Sequence, residues 1–440
     1  MERWTRIAIT AVLLAAWAPA GALPAQADET TVPLATLEQQ ISGSLTLAAA
    51  KALIDEDEAS LQVARDKAGL AAFATNELGP HHDVVTDRST RSFLRYEQEA
   101  GIRVPMLGAR ALQQQEIAMA LGQRTLGELA YEQTRVQVLA KARASYIEYL
   151  TARRLERLAR GFFEGLNGNA PAALALHRNG FWTGADRLRY NDLVERTRVD
   201  VARAQVGQRN ALLQLALVTG SPLDSFAPVE PRFAGCATTA AIAFASAVRS
   251  DIELAKLAAE ASEARAVGRL QRWMGYDANL YMGLRTYVDT PGGLGAGFVV
   301  GLDLGVPVHV TREQLDLQRR VAAELRQYDL LAEQRRAELA AGVEIALTSL
   351  KQASVELAQA RRDDVALQED VREARVRFAL IAPNTLTELQ AKAEAAYRAQ
   401  IQTAQDEGAV LLRINDLLQI APAACDMKLT AAPDAVGGVK

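Results

Sequence analysis

The sequence predicts a mainly α-helical chain with a smaller share of membrane β-strand, built as two copies of one unit. Three observations carry that expectation. The 440 residues match themselves at a constant offset, helix-patterned segments run far beyond globular lengths, and two extended segments alternate apolar with polar residues.

The N-terminus reads as an address. Arg3 and Arg6 precede the apolar run IAITAVLLAAW, and AQA at 25–27 fits a small-x-small cleavage site, so 1–27 is expected to be a signal peptide. A formal net charge of −4, from 49 basic and 53 acidic groups, offers no basic face for nucleic acid, and no such partner is expected. Beyond the signal, no apolar run reaches ~18 residues, the length of a transmembrane helix. A membrane crossing would need strands closed into a barrel, because lipid offers an open backbone no partner. Cys236 and Cys425, in an exported chain, read either as one disulfide or as two buried thiols.

The self-match is regular. IRVPMLG (102–108) resembles LGVPVHV (304–310), which sets Pro105 opposite Pro307 at an offset of 202. TGADRL (183–188) resembles TLTELQ (385–390) at the same offset, so Thr183 answers Thr385. Upstream of the prolines, KALIDEDE (51–58) resembles SAVRSDIE (246–253) at an offset of 195, which makes the second excursion longer. Each unit reads helix, extended hairpin, very long helix, break, helix. The stretch from Pro105 to Thr183 would span about 117 Å as a helix, whereas typical helices have three or four turns. Such lengths predict a rod or a tube.

The extended segments carry a second periodicity. In YDANLYMGLRTYV (276–288), Ala278, Leu280, Met282, Leu284 and Val288 share one face with Thr286. Asp277, Asn279, Tyr281, Arg285 and Tyr287 share the other, and GAGFVVGLDLGVPV (295–308) repeats the alternation. Strands of about ten residues with one oily face fit a lipid-facing barrel; a soluble half-buried hairpin would alternate likewise. The first excursion, 80–105, alternates in FLRYEQEAGIRV but has the short, polar partner HHDVVTDRST. Four strands cannot close around anything, whereas a trimer would supply twelve.

Chemistry is sparse. GGLGAG (292–297) imitates a phosphate loop but precedes a strand rather than a helix. His81 and His82 read as a surface pair, and no nucleophile–base or paired-carboxylate arrangement stands out. No catalytic residue, metal or cofactor is expected, and neither is an enzyme.

Taken in order, LTLAAAKAL, VRSDIELAKLAAEASEARA, the VP closing each hairpin, RNGFWTGADRLRYNDL and the terminal LLRINDLLQI resemble the TolC-like outer-membrane factors over nearly the full length. The resemblance implies a homotrimer: a helical tunnel of long antiparallel coiled-coil helices, plus a twelve-stranded barrel with four strands per protomer. It implies the exit duct of a tripartite efflux pump or type I secretion system, set in outer-membrane lipid. A periplasmic adaptor (membrane fusion) protein and an inner-membrane pump would be the partners. The alternative is a periplasmic helical structural protein of the same descent that lacks a working barrel.

On that frame, 28–44, 221–246 and 421–440 form an equatorial girdle, and 45–79 and 247–274 are the first helices of the two repeats. Hairpins occupy 80–105 and 275–307. Tunnel helices occupy 106–220 and 308–420, with tips at 178–186 and 380–388. The girdle placement implies a Cys236–Cys425 bridge. EGLNGNAP (164–171) is expected to bend or fray, with two glycines and a proline close together.

Both tips place an acid three residues after a threonine, Thr183 to Asp186 and Thr385 to Glu388, as in a capping box. Gly180 turns the first tip. By resemblance, Glu388 matches an acid of the ring that closes the tunnel, repeated three times about the axis. Asn384 stands where a latch arginine would, able to hydrogen-bond Asp186 but not to pair its charge. Phe181 and Trp182, read as exposed, join Gly180, Thr183, Ala382, Pro383 and Thr385 as the expected adaptor-docking tips.

Overall fold

The computed structural model describes residues 31–428 except 87–88, 221–222, 224–225, 230–231, 237–238, 275, 291–292, 306–309 and 382–385. The expected signal segment 1–27 lies outside them. In order come β1 (Thr31–Val32), α1 (Leu34–Gln40), α2 (Leu45–Lys67), β2 (Ala71–Thr86) and β3 (Ser89–Met106). Next are α3 (Leu107–Arg178), α4 (Gly184–Thr219), β4 (Ala227–Pro228), β5 (Arg232–Cys236) and α5 (Ala240–Ser250). The chain ends with α6 (Ile252–Met274), β6 (Asp277–Asp289), β7 (Gly293–Gly305), α7 (Val310–Ile381), α8 (Leu386–Ile420) and β8 (Cys425–Lys428).

Both α3 and α7 have 72 residues. Ala, Leu, Glu, Gln and Arg dominate them, and exposed faces carry short-range ion pairs such as Arg320–Glu324 and Arg377–Glu373. Among the described residues, no helix is long and apolar enough to cross a membrane.

The chain forms two compact units. One comprises Ala49–Gln133 and Ile252–Ala337 and contains an antiparallel sheet of order β2-β3-β6-β7. Here the sequence reading needs correction. The helix expected over 45–79 stops at Lys67, and the hairpin expected over 80–105 is a full pair of 16 and 18 residues. Gly69, at φ +129°, breaks the helix in a conformation that side chains avoid. The Gln113 amide bridges the break, donating to the Lys67 carbonyl and accepting from the Gly69 N–H, each at 3.3 Å. Pro80 lies on β2, an outer strand of the described four-stranded sheet. At the strand–helix junction, the Gly108 N–H donates to the Tyr276 carbonyl at 2.6 Å.

The other unit comprises Met1–Ala48, Thr134–Asp251 and Glu338–Lys440. Tyr146 and Tyr149, three apart on α3, are fully buried with Leu34, Leu37, Leu215 and Phe226. The Tyr146 hydroxyl donates to the Val32 carbonyl at 2.9 Å and accepts from the Val229 N–H at 2.7 Å. The Tyr149 hydroxyl donates to the Phe226 carbonyl at 2.9 Å. Two phenols therefore pin β1 and the segment around β4 to the long helix, and β1 and β4 pair in parallel. In the same unit β5 pairs with β8, and a disulfide joins Cys236 to Cys425.

Burial raises the Tyr146 phenol from the ordinary 10.0 to about 12, and burial raises Tyr190 likewise. The unfolded chain ionises first, so the stability these groups supply is whole below pH 10 and lost as pH rises through about 12. Denaturant midpoints should fall steeply over that window. Tyr146→Phe should lower stability by about 1–3 kcal/mol by stranding the Val229 N–H and flatten part of the alkaline fall. An unchanged alkaline slope in this variant would count against the phenol.

Two further expectations change. The helix expected over 247–274 is two helices parted at Asp251, and α5 begins inside the segment taken as linker, 221–246. EGLNGNAP neither frays nor ends the helix, since α3 runs through Pro171. Side chains serve carbonyls near the disrupted ladder: the Asn169 amide donates to Gly165 at 2.9 Å, and the Tyr190 hydroxyl donates to Leu166.

Candidate functional site

Polar and aromatic groups come together at the break between α3 and α4 and in the sheet. At the break, the Phe181 N–H donates to the Leu176 carbonyl at 2.9 Å and the Gly180 N–H to His177 at 3.1 Å. With Gly180 at φ +76°, this is a Schellman closure of the helix. Thr183 then caps α4. Its hydroxyl accepts from the Asp186 N–H at 3.1 Å, and its own N–H donates to the Asp186 carboxylate at 3.0 Å. Hydrogen bonds from the Thr183 hydroxyl and N–H hold the Asp186 carboxyl below its usual range.

The two aromatics separate, which corrects the reading of both as exposed. Trp182 is only 5 % exposed, packed with Leu166, Leu176, Tyr190, Leu193 and Leu389, its ring 5.7 Å from that of Tyr190. The Schellman turn folds the chain back over its own helix end and carries the indole inward. Phe181 remains 47 % exposed.

At the second break, Ala382, Pro383, Asn384 and Thr385 lie outside the described residues, and with them the expected Asn384–Asp186 contact and the second capping box. Glu388 is described and half-exposed. Lys392, one turn on, stands 3.6 Å from it and 3.9 Å from Asp370, so its charge is partly balanced. Sequence reasoning missed Lys392, although the spacing of four was visible.

In the sheet, register pairs even-numbered residues with even and odd with odd across all four strands, up to a shift between Val84 and Thr86 at the end of β2. The even face is oily and open: Leu94, Ile102, Leu284, Phe298, Val300 and Leu304 are all exposed. The odd face is ionic and aromatic. Arg95 pairs with Asp289 at 2.7 Å and lies over the Phe93 and Tyr287 rings, at 5.1 and 4.6 Å. Arg285 reaches Glu97 at 2.7 Å and Glu99 at 3.4 Å. On β7, Gly295 and Gly301 leave bare backbone under Tyr287 and Tyr281, whose rings stand 2.1 and 2.2 Å from where a Cβ would sit. β2 and β7 are the free edges of the described sheet.

No family model matches the chain, and no curated protein does. Solved structures do. A membrane protein from Pseudomonas aeruginosa superposes with a TM-score of 0.69 at 16 % identity, over 88 % of this chain and 93 % of that one. The Campylobacter jejuni CmeC outer membrane channel gives 0.66 at 11 % identity, over 91 % and 90 %. The open state of the Neisseria gonorrhoeae MtrE outer membrane channel gives 0.65 at 13 % identity, covering 88 % of each chain. The chain shares the fold of these proteins.

Proposed function

We propose that this chain, which has the fold of the outer-membrane channels, is itself an outer-membrane channel serving efflux. It works as a homotrimer with one twelve-stranded barrel and a helical duct. The observation that carries this reading is the sidedness of the sheet. Four strands with two free edges, one oily face and one ion-paired face have no stable state alone in water. Three copies joined edge to edge present the oily faces to lipid and the charged faces to a water-filled bore.

The helices support the same reading. On α4, Leu188, Val199, Val206, Leu213 and Leu217 are exposed at steps of eleven, seven, seven and four, a stripe that a neighbouring copy would cover. The self-match gives each protomer two equivalent helical hairpins, so three protomers form a ring of six. The tips meet a periplasmic adaptor coupled to an inner-membrane pump, with Phe181 as the exposed anchor beside Gly180 and Thr183. Ala382, Pro383 and Thr385 form the second tip, and Glu388 with Asn384 lines the mouth, where Lys392 softens the acidic ring. The reading of a barrel-less periplasmic protein rested on a short first hairpin, and its strands of 16 and 18 residues remove that ground.

Fractionation and gel migration test the reading together. The expected result is an outer-membrane band that runs as a trimer unheated and as a monomer after boiling, and that conducts in planar bilayers. A soluble periplasmic monomer would overturn it.

A further inference from the structure

Where the strands give way to helices, cations stand without counter-charges. Lys67 ends α2, Arg110 lies in the first turn of α3, and Arg269 lies in the last two turns of α6. All three are exposed, and none forms an ion pair among the described residues. Other cations of the same unit do, with Arg95 on Asp289, Arg124 on Glu58 and Arg285 on Glu97. Arg269 spends only its Nε, which donates to the Arg265 carbonyl at 3.3 Å.

Each of these cations has an exposed apolar side chain three or four residues away, on the side of the sheet. Lys67 has Leu70, Arg110 has Leu107, and Arg269 has Trp273, an indole 54 % exposed. Spacings of three and four put Leu107 with Arg110, and Arg269 with Trp273, on shared helix faces. The junctions stand at one level. The Trp273 carbonyl oxygen lies 2.8 Å from where a Cβ on Gly108 would sit, and the Gln113 amide ties Lys67 to α3. Met106, Leu280 and Leu304, exposed on the even face at the helical ends of β3, β6 and β7, carry the oily surface of the sheet into this ring.

Water as the neighbour accounts for the cations but not for Trp273 and Leu107. A protein contact accounts for the apolar side chains and leaves three charges unpaired. The level of a bilayer where hydrocarbon meets phosphate suits both kinds of group at once. In the barrel proposed above, on which this inference rests, copies join at β2 and β7. The junctions that hold Arg110, Arg269 and Trp273 belong to β3 and β6, the two central strands, away from those edges.

We infer that Lys67, Arg110 and Arg269, with Leu70, Leu107 and Trp273, form a collar that binds phosphate groups of anionic phospholipids. The lipids are those of the leaflet on the helical side of the barrel. The apolar side chains enter the acyl boundary, the cations reach the phosphates beyond it, and together they fix the depth at which the barrel sits.

The test reconstitutes full-length trimers into phosphatidylcholine vesicles containing a rising fraction of acyl-brominated lipid. The brominated lipid is phosphatidylglycerol in one series and phosphatidylcholine in the other. Bromine quenches an indole on contact, so Trp273 reports the lipid beside it. Quenching should be deeper in the phosphatidylglycerol series at equal bromine content, and Trp273→Phe should remove it. Arg110→Gln and Arg269→Gln, both at exposed positions, should each lower the preference for phosphatidylglycerol about fivefold, the worth of one cation near an anionic surface. Inorganic phosphate added at constant ionic strength should leave the quenching unchanged. Equal quenching by the two brominated lipids, parental preference in both arginine variants, quenching that survives Trp273→Phe, or relief by inorganic phosphate would overturn the collar. A chain that forms no trimer would instead count against the channel reading.

Discussion

Gly101→Val is expected to abolish the assembled sheet while leaving the helices formed. Gly101 and Gly283 face each other in register between β3 and β6. A Cβ at position 101 would stand 2.2 Å from the Met282 carbonyl oxygen and 2.5 Å from the Gly283 Cα. Both neighbours are backbone, so no rotamer change relieves the clash; the ladder itself must part. Overpacking of this kind costs about 3 kcal/mol or more, and it falls on the two central strands. The trimer band proposed above for unheated gels should vanish, with far-UV circular dichroism still strongly helical. Gly297→Ala is the matched control, because nothing lies within 4 Å of its Cβ position. If Gly101→Val assembles as well as Gly297→Ala, the strand spacing described here is wrong.

Trp182→Ala should be the most damaging single change at the helical tip. The indole is buried among residues from α3, α4, α7 and α8, and removing an aromatic of this size costs about 3–5 kcal/mol. Proteolytic nicking near residues 178–188 and faster amide exchange along the end of α3 should report it. Loss of adaptor capture in this variant would say nothing about docking, because the tip itself would have loosened. Phe181→Ala separates the two effects: it should keep parental protease resistance and lose adaptor capture. A Phe181 variant that captures adaptor normally would remove this side chain from the interface.

The parts legible in the sequence were those where one periodicity rules. Alternation from Asp277 to Gly305 placed β6 and β7 with their faces, because, Val299 aside, the described glycines and tyrosines fall on odd positions and the aliphatic residues on even ones. Thr183 and Asp186 announced a helix start because capping chemistry is local. What failed to show was set by contacts distant in sequence. FATNELGPHHD reads poorly as a strand, and only its ladder with β3 makes it one. The Asn169 and Tyr190 side chains that serve carbonyls beside Pro171 come from the same turn and from 24 residues away. Trp182 looked exposed because no sequence pattern says which way a tip residue turns. The opposition of Glu77 and Glu97 needed the register, since the two become neighbours only when β2 and β3 pair.

The division of the chain into units has a consequence for the order in which it can mature. Everything belonging to the sheet-bearing unit lies between Ala49 and Ala337. The other unit draws on the beginning, the middle and the last hundred residues, and its disulfide spans 189 positions. For a chain threaded across a membrane N-terminus first, every residue of the sheet-bearing unit is delivered while the C-terminal segment is still in transit. Cys236 is then a lone thiol until Cys425 arrives. The bond therefore marks delivery of the chain at least through Cys425, and a protein truncated before residue 425 would carry an unpaired cysteine.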